Sequence, residues 1–167
     1  MALTIRQGES DDLNRLVEIY NHYVTDTHVT FDTEPFAVAE RIHWFNQFAA
    51  NGPHRLLVAE QADEVVGYAT STSFKVKPAY RTSVETTIYI DSEQTGNGYG
   101  SRLYSQLIDL MHAEESVHRA YGGVALPNEG SVAMHEKLGF RHAASYHEVG
   151  YKFGKYWDVD WFEKDVS

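Results

Sequence analysis

Two periodicities divide this chain into elements. Leu3, Ile5 and Gln7 alternate as a short first strand does, and Ser10 then opens a helix. In that helix Leu13, Leu16, Val17, Tyr20 and Val24 recur at the spacing of one helical face. The stretch 25–33 is polar and has no period, so it reads as a loop. Pro35 fits the first turn of a second helix, with Val38, Ile42, Phe45 and Ala49 as its core face and Asn51-Gly52-Pro53 as its stop. Strands follow at 55–60 and 65–73, joined by a tight turn near Ala62-Asp63. In a further strand, 84–91, Val84, Thr86, Ile88 and Ile90 take one side and Glu85, Thr87 and Tyr89 the other. A glycine-rich turn, Gly96-Asn97-Gly98-Tyr99-Gly100, leads into a helix through Leu103, Leu107, Leu110 and Met111. A strand at 121–126, a short helix at 128–138 and two strands at 140–149 and 156–163 complete the chain.

The resulting order, β α α β β β α β α β β, mixes hairpins with crossovers. It predicts an α/β (α+β) sheet of mixed direction covered by helices. Apolar residues make up 43% of the 167, spread evenly and without a linker, so residues 1–167 read as one domain. The absence of Cys removes disulfides, thiolate metal sites and cysteine nucleophiles. A formal charge of −10 disfavours phosphate-backbone and anionic-membrane partners. With no spanning-length apolar run and no signal-peptide core, a cytoplasmic protein without a metal is expected.

The glycine turn carries the first chemical signal. A strand, a glycine turn and a helix in that order point backbone N–H groups outward at the positive end of a helix dipole, which suits an anion such as phosphate. No Lys-Ser/Thr follows the glycines, so this is not a P-loop, and its spacing is not the dinucleotide fingerprint. A turn that only caps a helix remains the alternative.

Gln94-Thr95-Gly96-Asn97-Gly98-Tyr99-Gly100, after Tyr89-Ile90, resembles the acetyl-CoA pyrophosphate loop of the GNAT N-acetyltransferase superfamily. The stretch 125–140, Ala125-Leu126-Pro127-Asn128 through Lys137-Leu138-Gly139-Phe140, is similar to a later segment of those enzymes. Within the superfamily, Thr30-Phe31-Asp32-Thr33-Glu34-Pro35, Pro78-Ala79-Tyr80-Arg81 with Val84-Glu85, and Val149-Gly150-Tyr151-Lys152-Phe153-Gly154 look like the phosphinothricin and methionine sulfoximine acetyltransferases. Two positions depart from that pattern. Thr95 stands where the loop usually opens with Arg or Gln, and Lys75 and Lys77 stand where Arg residues are usual.

The resemblance implies the GNAT fold: a mostly antiparallel mixed sheet, helices on both faces, and strands splayed at the acetyl-CoA site. It implies acetyl transfer to the amino group of a small amino-acid analogue by direct attack, with acetyl-CoA as co-substrate. Coenzyme contacts fall on the main chain of Ile88, Tyr89 and Ile90, on the loop Thr95, Gly96, Asn97, Gly98, Tyr99, Gly100 and Ser101, and on Asn128 and Ser131. Glu85 is the candidate general base. It lies on a strand with an apolar opposite face, where partial burial lifts a carboxyl from its usual ~4.3. His135 shares a helical stripe with Asn128 and Ser131, and the resemblance makes it the acid to the coenzyme sulfur. Lys75, Lys77 and Arg81 are candidates to hold an acceptor carboxylate, with Phe31, Tyr80 and Tyr89 walling the apolar part of the pocket. Lys152-Phe153-Gly154 implies a homodimer. Two alternatives remain open: the same chemistry on a polyamine, amino sugar or peptide N-terminus, and an acyl-CoA-binding module without catalysis.

Overall fold

The computed structural model describes residues 2–167. Its strands are β1 (Thr4–Gln7), β2 (Leu56–Gln61), β3 (Glu64–Ser73), β4 (Ser83–Ile90), β5 (Arg119–Ala125), β6 (Arg141–Lys152) and β7 (Lys155–Asp165). The α-helices are α1 (Leu13–Asp26), α2 (Val38–Phe45), α3 (Tyr99–Ala113) and α4 (Glu129–Lys137). The strands form a seven-stranded sheet in the order β1-β2-β3-β4-β5-β7-β6. Every neighbouring pair is antiparallel except β4 and β5, which the α3 crossover joins in parallel.

Helices cover both faces, so Leu56 to Ala59 are buried in succession instead of alternating with polar residues. On one face Leu103, Leu107 and Met111 of α3, with α4 beside them, pack on Leu57, Ala59, Val84, Ala120 and Phe162. On the other, Leu16, Ile19, Tyr20 and Val24 of α1 pack on Leu56, Val58, Val65 and Tyr68. The face expected for α1 is the buried one, although Ser10–Asp12 forms a separate 3₁₀ turn before it.

The second helix differs from expectation. It begins after Pro35, with Ala37 as N-cap, where the Glu40 carboxylate accepts from the Ala37 N–H at 2.7 Å. Ile42 is 49% exposed and Ala49 is exposed, whereas Trp44, Phe45 and Phe48 pack inward. The helix has only eight residues, so no long period fixes its face, and the three rings bury more apolar area than Val38, Ile42 and Ala49 do.

One feature of the sheet positions the site. β4 and β5 pair only from Ser83↔Arg119 to Glu85↔Tyr121. Beyond that, β4 stays with β3 as far as Ile90, and β5 stays with β7 as far as Ala125. The two strands part, and a wedge opens between them.

Candidate active site

A cleft of about 790 Å³ fills the wedge. It brings together Phe31, Glu85, Ile88, Tyr89, Ile90, Thr95, Gly96, Gly98, Tyr99, Gly100, Ser101, Asn128, Ser131 and His135, residues spread over 105 positions of the sequence. Asn97 does not line it; its side-chain amide donates to the Gln94 carbonyl at 3.1 Å and holds the loop's shape.

At one end of the cleft, Gly96 and Gly98 have φ of +82° and +76°, left-handed values that side chains resist. Gly98 is the N-cap of α3, and no side chain caps that end. The first N–H groups of α3 are therefore presented to the cleft together with the positive end of the helix dipole. At the start of α4, the Asn128 side chain accepts from the Ser131 N–H at 3.2 Å.

Along the wedge, the edge of β4 is free. The His118 N–H donates to the Thr82 carbonyl at 2.8 Å, so even-numbered positions of β4 turn their main chain toward β5. Ile88 and Ile90 thus face the gap, and Tyr23 reaches the Ile90 carbonyl from α1 with its hydroxyl. The Tyr89 carbonyl faces β3, where it meets Gly67, so Tyr89 contributes its ring to the site and not its main chain. Burial pushes the Tyr89 hydroxyl up to about 12.

Glu85 is half-buried where β4 leaves β5, and it has no hydrogen-bond or ion-pair partner among the described residues. Burial raises its carboxyl above the usual range. It also lines a second cleft, of about 400 Å³, on the α1–α2 face of the sheet. Rung by rung, Thr72↔Glu85, Thr70↔Thr87 and Tyr68↔Tyr89 form the floor of that cleft. Glu85 therefore stands where the two clefts meet.

His135 is 3% exposed. Its Nδ1 donates to the Ser131 carbonyl at 2.8 Å, which leaves Nε2 to accept from the Tyr104 hydroxyl at 3.1 Å. Thr86 continues the chain, 2.5 Å from the same hydroxyl. Burial lowers the His135 pKa against the opposing pull of the Ser131 carbonyl, so the ring is neutral near pH 7. Tyr104, fully buried apart from its place in the cleft wall, is raised by burial and by the charge of Glu85. Among the described residues, no group of three or more His, Asp or Glu has the arrangement to hold a metal ion.

The loop after α1 is clamped over the wedge. Lys152 donates to the Thr30 carbonyl at 2.8 Å, Phe31 seats its ring against Gly150, and His28 stacks on Trp157 at 4.2 Å. The Val149–Gly154 stretch thus holds Phe31 in the cleft.

Lys75, Lys77, Tyr80 and Arg81 are not brought to either cleft. They lie on the exposed connection from β3 to β4, where the Lys75 ammonium rests over Phe74 and Tyr80, 5.5 Å from each ring. At the root of that connection Phe74 stacks on Tyr121, the β5 partner of Glu85, at 4.4 Å and lies 6.0 Å from Trp161 of the cleft wall, so the connection borders the wedge without lining it. Sequence reasoning missed Tyr104 and Trp161 in the wall and Arg41 in the second cleft. Trp161 could have been found from the alternation of the last strand. Tyr104 falls among the core positions of α3, and nothing in its spacing marks it as polar in role.

Residues 5–161 match the acetyltransferase (GNAT) domain family. The phosphinothricin N-acetyltransferase of Streptomyces coelicolor is 51% identical over 164 residues, 97% of this chain and 95% of that protein. The L-methionine sulfoximine/L-methionine sulfone acetyltransferase of Pseudomonas aeruginosa is 30% identical across all of this chain and 96% of its own length. The structure of yncA from Salmonella typhimurium, solved with its cofactor acetyl-CoA, superposes with a TM-score of 0.93 at 29% identity, covering 100% of this chain and 95% of that one.

Proposed function

Because the chain belongs to the GNAT acetyltransferase family, we propose that it uses acetyl-CoA to acetylate the amino group of a small amino-acid analogue of the phosphinothricin or methionine sulfoximine type. The observation that carries this reading is Glu85: a half-buried carboxylate with no partner, at the meeting of two clefts. One cleft suits the coenzyme and the other the acceptor.

The residues of the larger cleft fit the coenzyme. The uncapped start of α3 at Gly98 to Ser101 suits the pyrophosphate, and the free edge of β4 at Ile88 and Ile90 suits the amides of the pantetheine arm as an added strand would. Bound there, acetyl-CoA supplies the acetyl group as a thioester, so no protein nucleophile is required. Asn128 and Ser131 line the same wall.

Glu85 takes a proton from the acceptor ammonium, directly or through one water, and frees the lone pair for attack. Burial raises its pKa toward the working range of a general base. Of the ammonium's three protons the amide keeps one, Glu85 passes one to solvent, and the third restores the departing thiol. The Tyr104 hydroxyl, beside His135 and Thr86, lines the same wall and would relay that third proton to the thiolate by giving up its hydrogen bond to His135. His135 holds its own proton at Nδ1 and acts through Tyr104.

Thiol release measured in parallel with phosphinothricin, methionine sulfoximine and a polyamine tests the reading. Turnover of either amino-acid analogue is expected, and consumption of the polyamine alone overturns it. Glu85→Gln should lower kcat by about 10²–10⁴ at pH 7.5 with little change in KM for acetyl-CoA, the range of a positioned base. An unchanged kcat removes Glu85 from the mechanism. We also propose a homodimer. β6 is an edge strand, and Tyr146, Val149, Tyr151, Phe153 and Tyr156 stand exposed on it and its hairpin. A monomeric mass by light scattering at assay concentration overturns the dimer.

A further inference from the structure

The second cleft contains an unused cation. Arg41, on α2, packs its guanidinium over Trp44, Phe36 and Tyr20, 4.1, 4.9 and 5.1 Å from the ring centres. It makes no hydrogen bond and no ion pair among the described residues. Stacking fixes the plane of a guanidinium but leaves its five N–H donors free at the edge. Arg41 and Glu85 are the two charged residues that line this cleft, and among the described residues neither has an ion-pair or hydrogen-bond partner. A chain with a net charge of −10 has many carboxylates that could have paired with Arg41, and none does.

The two charges lie at opposite ends. Tyr20 packs edge-on against Tyr89, and Trp44 against Tyr68, so Arg41 belongs to the Tyr68↔Tyr89 rung. Glu85 is on the Thr72↔Glu85 rung, four residues along β4, about 13 Å at the rise of a strand. Thr70 and Thr87 lie between them. An amine delivered to Glu85 leaves its α-carboxylate one carbon away, beside the amine. The far end of the acceptor's side chain is the part that extends toward Arg41.

Resting on the function proposed above, we propose that Arg41 reads an anionic oxygen group at the distal end of the acceptor, of the phosphinate or carboxylate class, and so sets the preference among amino-acid acceptors. A fixed guanidinium edge suits two oxygens of one anion and offers nothing comparable to an uncharged end. Phosphinothricin carries such an anion, and methionine sulfoximine carries an uncharged group in its place.

The test is the ratio of kcat/KM for phosphinothricin to that for methionine sulfoximine, measured on the full chain and on Arg41→Gln and Arg41→Lys. Arg41→Gln should lower the ratio about 10- to 100-fold, chiefly through KM for phosphinothricin, the range for a hydrogen bond to a charged group. Arg41→Lys keeps the charge without the fork and should lower the ratio by less; it also reads the ratio if the Gln variant does not fold. A ratio within about twofold of wild type in both variants overturns the proposal, since uniform losses mean that Arg41 only packs α2 or serves the α-carboxylate. A wild-type chain that turns over neither acceptor overturns the broader function, and a measurable ratio that ignores Arg41 overturns this inference alone.

Discussion

Gly122 of β5 should be intolerant of a single methyl group. A Cβ there would stand 2.5 Å from Nε2 of His135, 3.1 Å from its Cδ2 and 3.2 Å from the Tyr104 hydroxyl. None of these atoms can retreat. His135 stacks on Phe162 at 5.4 Å and meets the edges of Phe140 and Tyr104 at 5.1 Å each, and its Nδ1 is tied to Ser131. Overpacking of this kind costs about 1–3 kcal/mol. Parting Tyr104 from His135 adds about 1–3 kcal/mol for a buried group left unmatched. Gly122→Ala should therefore lose about 2–6 kcal/mol, a fall in Tm of about 4–24 °C for a chain of this length. Calorimetry or near-UV circular dichroism reads the transition. Gly130→Ala is the control: nothing lies within 4 Å of a Cβ in the first turn of α4, so that change should be neutral or add about 0.5–1 kcal/mol. A Gly122→Ala melting point within about 2 °C of wild type would show that the His135–Tyr104 cluster is not packed as described.

Glu85 links activity to stability with opposite signs. Its folded pKa is raised by burial, so the ionised form is disfavoured in the folded state. Glu85→Gln should melt above wild type at neutral pH, and the difference should vanish as pH falls through the folded pKa toward the unfolded value; a gap that widens toward acid refutes the assignment. Gly98→Ala forces a side chain into φ +76° and should cost about 1–2 kcal/mol while raising KM for acetyl-CoA more than it lowers kcat. An unaltered KM would remove the start of α3 from coenzyme binding.

What the sequence disclosed follows from the range of the interactions involved. Alternation and helical spacing are local, so the strands and the buried face of α1 were legible, as was the glycine loop, whose conformation is set by its own residues. The face of α2 was not, because an eight-residue helix takes its orientation from the rings it meets. Tyr104 and His135 are 31 positions apart and meet only because α3 and α4 cover the same face of the sheet. Arg41 was silent for the same reason: its three rings come from α1, α2 and the segment before α2. Lys75, Lys77 and Arg81 line neither cleft, and sequence nearness to Glu85 alone does not say which side chains a folded connection turns into a cavity.

The short seam between β4 and β5 has a mechanical consequence. With only three pairs joining them, the plate β1 to β4 and the plate β5, β7, β6 meet along a narrow spine that the helices of one face also bridge. A molecule lodged between the two plates should act as a strut and stiffen both. Rigidity, protease resistance and amide exchange along Ile88 and Ile90 should then track how much of that molecule the surroundings provide, so the protein's own durability becomes a gauge of its supply.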